Sequence, residues 1–313
     1  MIKRSFSFPS VVGDCDIAAV EYLPENGKIR GVVQIIHGML EHIDRYDSFA
    51  AQFAAQGYAV YGHSHLGHGH SVNERYPRGY FGKQNKTGRV FREDAYQVTD
   101  LIKEKHPGVP IVLFGYSMGS FVCRTCIGER GNDYAAAIIC ATGGENAALK
   151  AGILGAKALS LVQGKAPGRQ INRILFRQFL ARTEHRTKVD WLSTNEQHVS
   201  SAQIDPLSQF IFSNQGFYDL FTLNEYAVSK TIYNGTPKDL PILLVSGADD
   251  PVGEYGALVQ GTYDRYLQTG HTDVHMKLYP GRRHEIHLDP GGADVINDIL
   301  AFLNERIAKA SSG

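Results

Sequence analysis

One serine in this chain stands in a setting suited to attack on a carbonyl. Ser117 is the centre of Gly115-Tyr-Ser-Met-Gly119, a G-x-S-x-G run that ends the apolar segment Ile111–Gly115 and opens a helical pattern from Met118 to Glu129. The short motif gains its meaning from the strand before it and the helix after it. On such a turn the hydroxyl projects above a sheet, and the two glycines keep side chains out of the bend. The helix N-terminus offers unpaired N–H groups to a developing negative charge. A serine hydroxyl is a poor nucleophile until a base takes its proton. A carboxylate and then a histidine are therefore expected downstream, in that order.

The strand-like segment Ile242–Ser246 runs into Gly247-Ala-Asp249-Asp250-Pro251. Asp250 precedes a proline, which favours an extended or turn conformation and ends the strand. Asp249 competes with it, and spacing alone does not separate the two. The next strand-like segment, Val274–Tyr279, leads through Pro280-Gly-Arg-Arg to His284, with His287 as second choice. Catalysis of acyl transfer also needs a second donor for the oxyanion. The first buried strand ends in Ile36-His37-Gly38-Met39, where Gly38 permits close backbone approach. The Met39 and Met118 N–H groups are the expected pair, and loss of one such donor costs about 10²–10³-fold in rate. The two methionine side chains are placed in the acyl pocket.

A rival constellation is His63-Ser-His65-Leu-Gly-His68-Gly-His70. Imidazoles two and three residues apart can share a metal ion. Gly67 stands where the H-x-H-x-D-H ligand set of metallo-hydrolases has its aspartate, and no second ligand set follows. The loop is read as structural, with no metal and no cofactor expected. Cys123 and Cys126 are spaced C-x-x-C but lie in the helix after Ser117, where they read as small buried hydrophobes. Asn85 and Asn234 match glycosylation sequons, which carry little weight without a secretory signal.

The elements that must position these groups alternate between strand and helix, as in a parallel sheet covered by helices. Strands are predicted at Ile29–Ile36, Tyr58–Gly62, Ile111–Gly115, Ala135–Ala141, Ile242–Ser246 and Val274–Tyr279. Helices are predicted at Asp47–Gln56, Glu93–His106, Met118–Glu129, Leu258–Leu267 and Val295–Ala308. The alternation stops between about Gly143 and Pro237, a stretch with helical patterns and no clear strand. The division is residues 1–142 and 238–313 as one core, with 143–237 inserted into it. Within the insertion Arg169, Arg173 and Arg177 recur every four residues, one face of a helix, with Ile171, Ile174 and Leu175 largely on the other. Next to the very apolar Ala147–Val162, such a basic amphipathic helix would suit a lipid interface.

Composition is that of an ordinary globular protein. The chain has 313 residues, 43% hydrophobic and 20% charged, with 32 basic and 32 acidic side chains. Zero formal charge removes most of the case for a nucleic-acid partner. No apolar run reaches the roughly 18 residues of a membrane span, and the basic start Met1–Arg4 has no apolar stretch after it, so no signal peptide is expected. Four cysteines form no disulfide framework. A reduced cytoplasmic protein is the expectation.

Together these segments resemble the α/β-hydrolase fold and, within it, the monoacylglycerol lipase and lysophospholipase branch. His37-Gly-Met-Leu-Glu-His42 with Arg45-Tyr46 is similar to that branch's oxyanion loop, and Gly115–Gly119 to its elbow. Asp190-Trp-Leu-Ser193 and Asp205-Pro-Leu207 resemble parts of its cap. Gly247–Gly253 and Leu278–Ile286 resemble its acid and histidine loops. The resemblance implies a mostly parallel eight-stranded sheet flanked by helices, an inserted helical cap over the serine, and no cofactor. It aligns the acid with Asp250 and the base with His284. It implies a serine esterase of monoacylglycerols or lysophospholipids, acting through an acyl-enzyme, with a small acyl ester as partner and transient membrane contact through the basic cap. One departure is the loop after the second predicted strand. There Ser64 and Leu66 replace the branch's usual Asp and Arg, which touches local packing, not the chemistry. A peptidase or amidase of the same fold, or a non-catalytic binding protein, are the alternatives.

Overall fold

The computed structural model describes residues 1–145, 147–289 and 291–310. Eight strands form one sheet: β1 (Ile2–Pro9), β2 (Asp16–Leu23), β3 (Gly31–Ile36), β4 (Tyr58–His63), β5 (Ile111–Tyr116), β6 (Ala136–Cys140), β7 (Ile242–Gly247) and β8 (Val274–Tyr279). Their order is β1-β2-β4-β3-β5-β6-β7-β8. Pairing is parallel from β4 to β8, and only β2 runs against its neighbours. Ten helices are described: α1 (Asp47–Ala55), α2 (Arg89–Lys105), α3 (Met118–Arg130), α4 (Ala147–Gln163), α5 (Arg169–Leu180), α6 (Glu196–Ile204), α7 (Asn214–Ala227), α8 (Lys230–Gly235), α9 (Ala257–Gln268) and α10 (Ala293–Ala310).

The central strands β3, β4, β5, β6 and β7 are buried at every position. That is why they read as unbroken apolar runs, as strands covered on both faces must. Side chains alternate between two cores. Val32 and Ile36 of β3 face α2, α3 and α9, whereas Val33 and Ile35 face α1 and α10. The hairpin β1–β2 has no counterpart among the predicted strands. Its edge strand β1 is mostly exposed, and β2 buries Ile17, Ala19, Val20 and Tyr22 but also Glu21, so neither reads as an unbroken apolar run.

Helix α2 starts at Arg89, four residues before its predicted start. The buried Asn85 side-chain oxygen accepts the Val90 N–H at 3.0 Å from the turn before the helix, and burial withdraws the amide nitrogen of this sequon from solvent. Helices α4 to α8 all lie between β6 and β7. Within that stretch α7 and α8 place Phe217, Leu223 and Tyr233 in the same apolar cluster as α3, while α5 has no fully buried residue. Among the described residues, no helix is long and apolar enough to cross a membrane.

Candidate active site

The register of the sheet brings the pieces together. Ile36, the last residue of β3, pairs with Gly115 of β5, so the loops that follow both strands leave the sheet side by side. Ser117 then adopts φ 51° and ψ −119°, a conformation that costs a non-glycine residue on the order of 1–3 kcal/mol. The bend is held by the Ser117 N–H, which donates to the Cys140 carbonyl at 3.0 Å. A Cβ on Gly119 would overlap the Ile36 and His37 carbonyl oxygens, and one on Gly115 would lie 2.5 Å from the Cys123 Cβ. Both glycines are therefore required by close approach of α3 to the sheet.

Three residues far apart in sequence meet at this bend. His284 Nε2 lies 2.9 Å from Ser117 Oγ, and His284 Nδ1 lies 2.8 Å from Asp250 Oδ2. Asp250 is fully buried, and its other oxygen accepts the Val252 N–H at 2.9 Å. That leaves Nδ1 as the proton-bearing nitrogen and Nε2 free to accept from the serine. Asp249 is exposed, and burial separates the two aspartates where spacing did not. His287 is buried at 4.2 Å between ring centroids from Tyr116 and touches the Tyr46 hydroxyl, away from Ser117.

The loop after β3, where an oxyanion donor is expected, is shaped by Glu41. This buried carboxylate accepts the Gly38 N–H, the Tyr46 hydroxyl at 2.8 Å and an Arg45 N–H at 3.1 Å. Burial raises its proton affinity, against the opposing charge of Arg45. Neither the Met39 nor the Met118 N–H has an acceptor among the described hydrogen bonds, so both remain available at the bend.

The histidine-rich loop has a different character. His37, His65 and His68 are buried ring against ring, and His68 stacks on Phe81 at 5.2 Å. His37 Nε2 accepts the His65 N–H at 2.9 Å. Burial pushes His63 down to about 4 and His68 down to about 3, so these rings are neutral at pH 7. Among the described residues, no three His, Cys, Asp or Glu side chains are placed to hold a metal ion. Leu66, at the departure from the branch pattern, is buried against Tyr76, Tyr80 and Val90. Ser64 Oγ accepts the Ile43 N–H at 3.3 Å, so this loop braces the segment that follows β3.

A cavity of about 840 Å³ opens onto Ser117 and His284. Its walls are chiefly apolar side chains of α4, α5 and α7, including Leu149, Ile171, Leu175 and Phe221, with both methionines at the catalytic end. Trp191 stands over His284 at 5.0 Å between ring centroids. The sequence reading missed Arg283 and Glu285, the neighbours of His284. Arg283 donates to the Asp190 carbonyl at 2.7 Å, and the Glu285 N–H donates to the Leu192 carbonyl at 2.8 Å. The histidine loop is thus bonded on both sides to the inserted segment.

The sequence profile of the family described as serine aminopeptidase, S33, matches residues 27–291. The chain belongs to that family. Mouse monoglyceride lipase is 26% identical over 295 residues, covering 93% of this chain and 88% of its own. Monoacylglycerol lipase of Mycolicibacterium smegmatis is 26% identical over 280 residues, 88% of each chain. Among solved structures, a thermostable carboxyl esterase from Bacillus coagulans in complex with glycerol superposes with a TM-score of 0.88 at 30% identity, covering 98% of this chain and 99% of that one. The sheet order and these likenesses make this an α/β hydrolase of the monoacylglycerol lipase-like group.

Proposed function

We propose that this protein is a serine hydrolase of monoacylglycerol esters. The observation that carries the reading is the continuous chain Ser117 Oγ, His284, Asp250, with contacts of 2.9 and 2.8 Å, at the end of an apolar cavity. Ser117 Oγ attacks the ester carbonyl carbon as His284 Nε2 takes its proton. The Met39 and Met118 N–H groups receive the oxyanion. On collapse, His284 returns the proton to the leaving alcohol, and the acyl group stays on Ser117. Water then loses a proton to His284 and attacks the acyl-enzyme, and His284 returns that proton to Ser117 Oγ as the acyl bond breaks and the fatty acid leaves. Asp250 orients the imidazole and stabilises its charged form. The cavity takes the acyl chain.

An aminopeptidase reading of the same residues would need a carboxylate for the substrate ammonium. Glu254 and Glu285 both line the cavity wall; Glu285 is engaged by Arg45 and His198, and the substrate panel below separates the two readings.

Residues 143–237 form the cap in this reading, and the cap is where membranes are met. Leu154, Leu161, Val162 and Ile174 are 63–80% exposed. Lys150, Lys157, Lys165, Arg169, Arg173 and Arg177, on α4, α5 and the turn between them, are exposed as well. Ile174 lines the cavity with Ile171 and Leu175, and none of the three arginines does, in keeping with the two-sided pattern of the sequence. Exposed apolar side chains on helices that also carry exposed cations fit transient docking on an anionic lipid surface. A cytoplasmic, at times membrane-peripheral, location accords with Cys15, Cys123, Cys126 and Cys140, all buried and unbridged.

The test is a panel of monoacylglycerols, lysophospholipids, short p-nitrophenyl esters and aminoacyl amides, run beside Ser117→Ala. Monoacylglycerol turnover should dominate, and Ser117→Ala should lose it by roughly 10⁶-fold while remaining folded. Equal rates for the variant and the parent would overturn the assignment.

A further inference from the structure

Glu285, next to His284, is the meeting point of three parts of the molecule. Arg45 of the oxyanion segment donates both terminal nitrogens to it, at 2.7 and 3.1 Å. His198 Nε2, on helix α6 of the insertion, lies 2.7 Å from its second oxygen. Its own backbone N–H is held by the Leu192 carbonyl. Glu285 is 2% exposed, and the side chains of Arg45 and His198 are 16% and 11% exposed. A charge-assisted cluster so withdrawn from water is geometrically stiff.

The cluster continues to the bend. Arg45 also binds Glu41, and Glu41 accepts the Gly38 N–H, one peptide before the Met39 N–H. We infer that Glu285 is a positioning residue, which together with His198 makes the alignment of the Met39 oxyanion donor depend on the seating of helix α6. With α6 seated, Arg45 is shared between Glu285 and Glu41, and Glu41 fixes the Gly38 peptide. Without the Glu285 charge, Arg45 turns wholly to Glu41. That shifts the carboxylate on which the Gly38–Met39 turn hangs. The inference rests on the proposed serine-hydrolase reading and adds a device by which the insertion, besides covering the cavity, sets the rate of acyl transfer.

The experiment is a cycle of Glu285→Gln, His198→Ala and the double variant, with Ser117→Ala alongside. Activity is normalised to sites titrated with a fluorophosphonate, and a trifluoromethyl ketone serves as tetrahedral analogue. Glu285→Gln should lower kcat by about 10–100-fold, within the range of losing part of an oxyanion donor, with KM changed less than threefold. Affinity for the trifluoromethyl ketone should fall in parallel with kcat. His198→Ala should lower kcat less, and the double variant should be no worse than Glu285→Gln, because the two act as one unit. A merely structural role would lower the titratable fraction but leave kcat per site and analogue affinity unchanged. Either that result, or additive losses in the cycle, overturns the inference. Should Glu285→Gln fail to fold, His198→Ala decides it by the same kcat and analogue readouts. Retained activity in Ser117→Ala would instead sink the underlying hydrolase reading.

Discussion

Arg283 holds Glu184 of the insertion through one terminal nitrogen, 2.8 Å from each carboxylate oxygen, while its other terminal nitrogen serves the Asp190 and Ser193 carbonyls at 2.7 and 3.3 Å. The two halves of this contact differ in worth. Glu184 is 54% exposed, and Arg283 only 8%. An ion pair with one partner in water contributes about 0–1 kcal/mol, whereas a buried acceptor stripped of its donor costs about 1–3 kcal/mol. Glu184→Gln should therefore leave urea stability within about 1 kcal/mol of the parent, and Arg283→Met should lose about 1–3 kcal/mol. Equal losses would mean that the carbonyl bonds do not dominate.

The two adjacent aspartates give a sharper contrast. Asp250 is buried against His284 and Val252, and Asp249 is exposed. Asp250→Asn keeps the shape but presents an amide to Nδ1. The imidazole then favours the wrong tautomer, an effect of about 10⁴-fold on kcat in the serine-protease triad. Asp249→Asn should stay within twofold of the parent, roughly the spread of a neutral surface change. Comparable losses in the two variants, measured as kcat on one ester, would reassign the acid.

Legibility in the sequence followed the range of the interaction. Ser117 and His284 were readable because a tight bend and a loop after a strand impose local requirements, and the glycines at 115 and 119 answer a clash with β3 and α3. Spacing alone narrowed the acid to a pair, since burial is not a local property, and only the family resemblance pointed to Asp250. The hairpin β1–β2 escaped the residue reading because β1 is a solvated edge strand and Glu21 interrupts the buried stretch of β2. Arg45, Glu285 and His198 escaped because their contacts join residues 240 and 87 positions apart. Helix α6 buries only Val199, so it carries no periodic stripe to announce it.

The buried histidines make stability depend on pH with a definite sign. His63 falls from 6.5 to about 4 through burial alone. Its neutral form belongs to the fold, and its charged form to the unfolded chain. The unfolded state therefore binds more protons between pH 6.5 and 4, so stability is full above that window and falls as pH drops through it. At pH 5 the loss for this one group is roughly 2 kcal/mol. Asp94, raised to about 6 by burial, acts in the opposite direction and partly offsets it. The clean measurement is a difference. His63→Gln should show a flatter stability profile than the parent between pH 7 and 5, by urea unfolding. Parallel profiles would show that His63 does not titrate on unfolding in this window.

The exposed face of α4 and α5 gives a prediction that separates charge from apolar insertion. Basic residues near an anionic surface contribute about 1 kcal/mol each. Replacing Arg169, Arg173 and Arg177 together with Gln should weaken partitioning onto phosphatidylserine vesicles on the order of a hundredfold at low salt. Binding to neutral vesicles should hardly change. Leu161→Ser with Val162→Ser, at positions 78% and 80% exposed, should weaken binding to both vesicle types, because apolar area is lost whatever the lipid charge. Raising salt should erase the parent's advantage over the arginine variant and leave that of the apolar pair intact, since only exposed charge is screened. Co-sedimentation of the parent that is equal on anionic and neutral vesicles would remove the basic face from membrane docking and leave it a role in solubility alone.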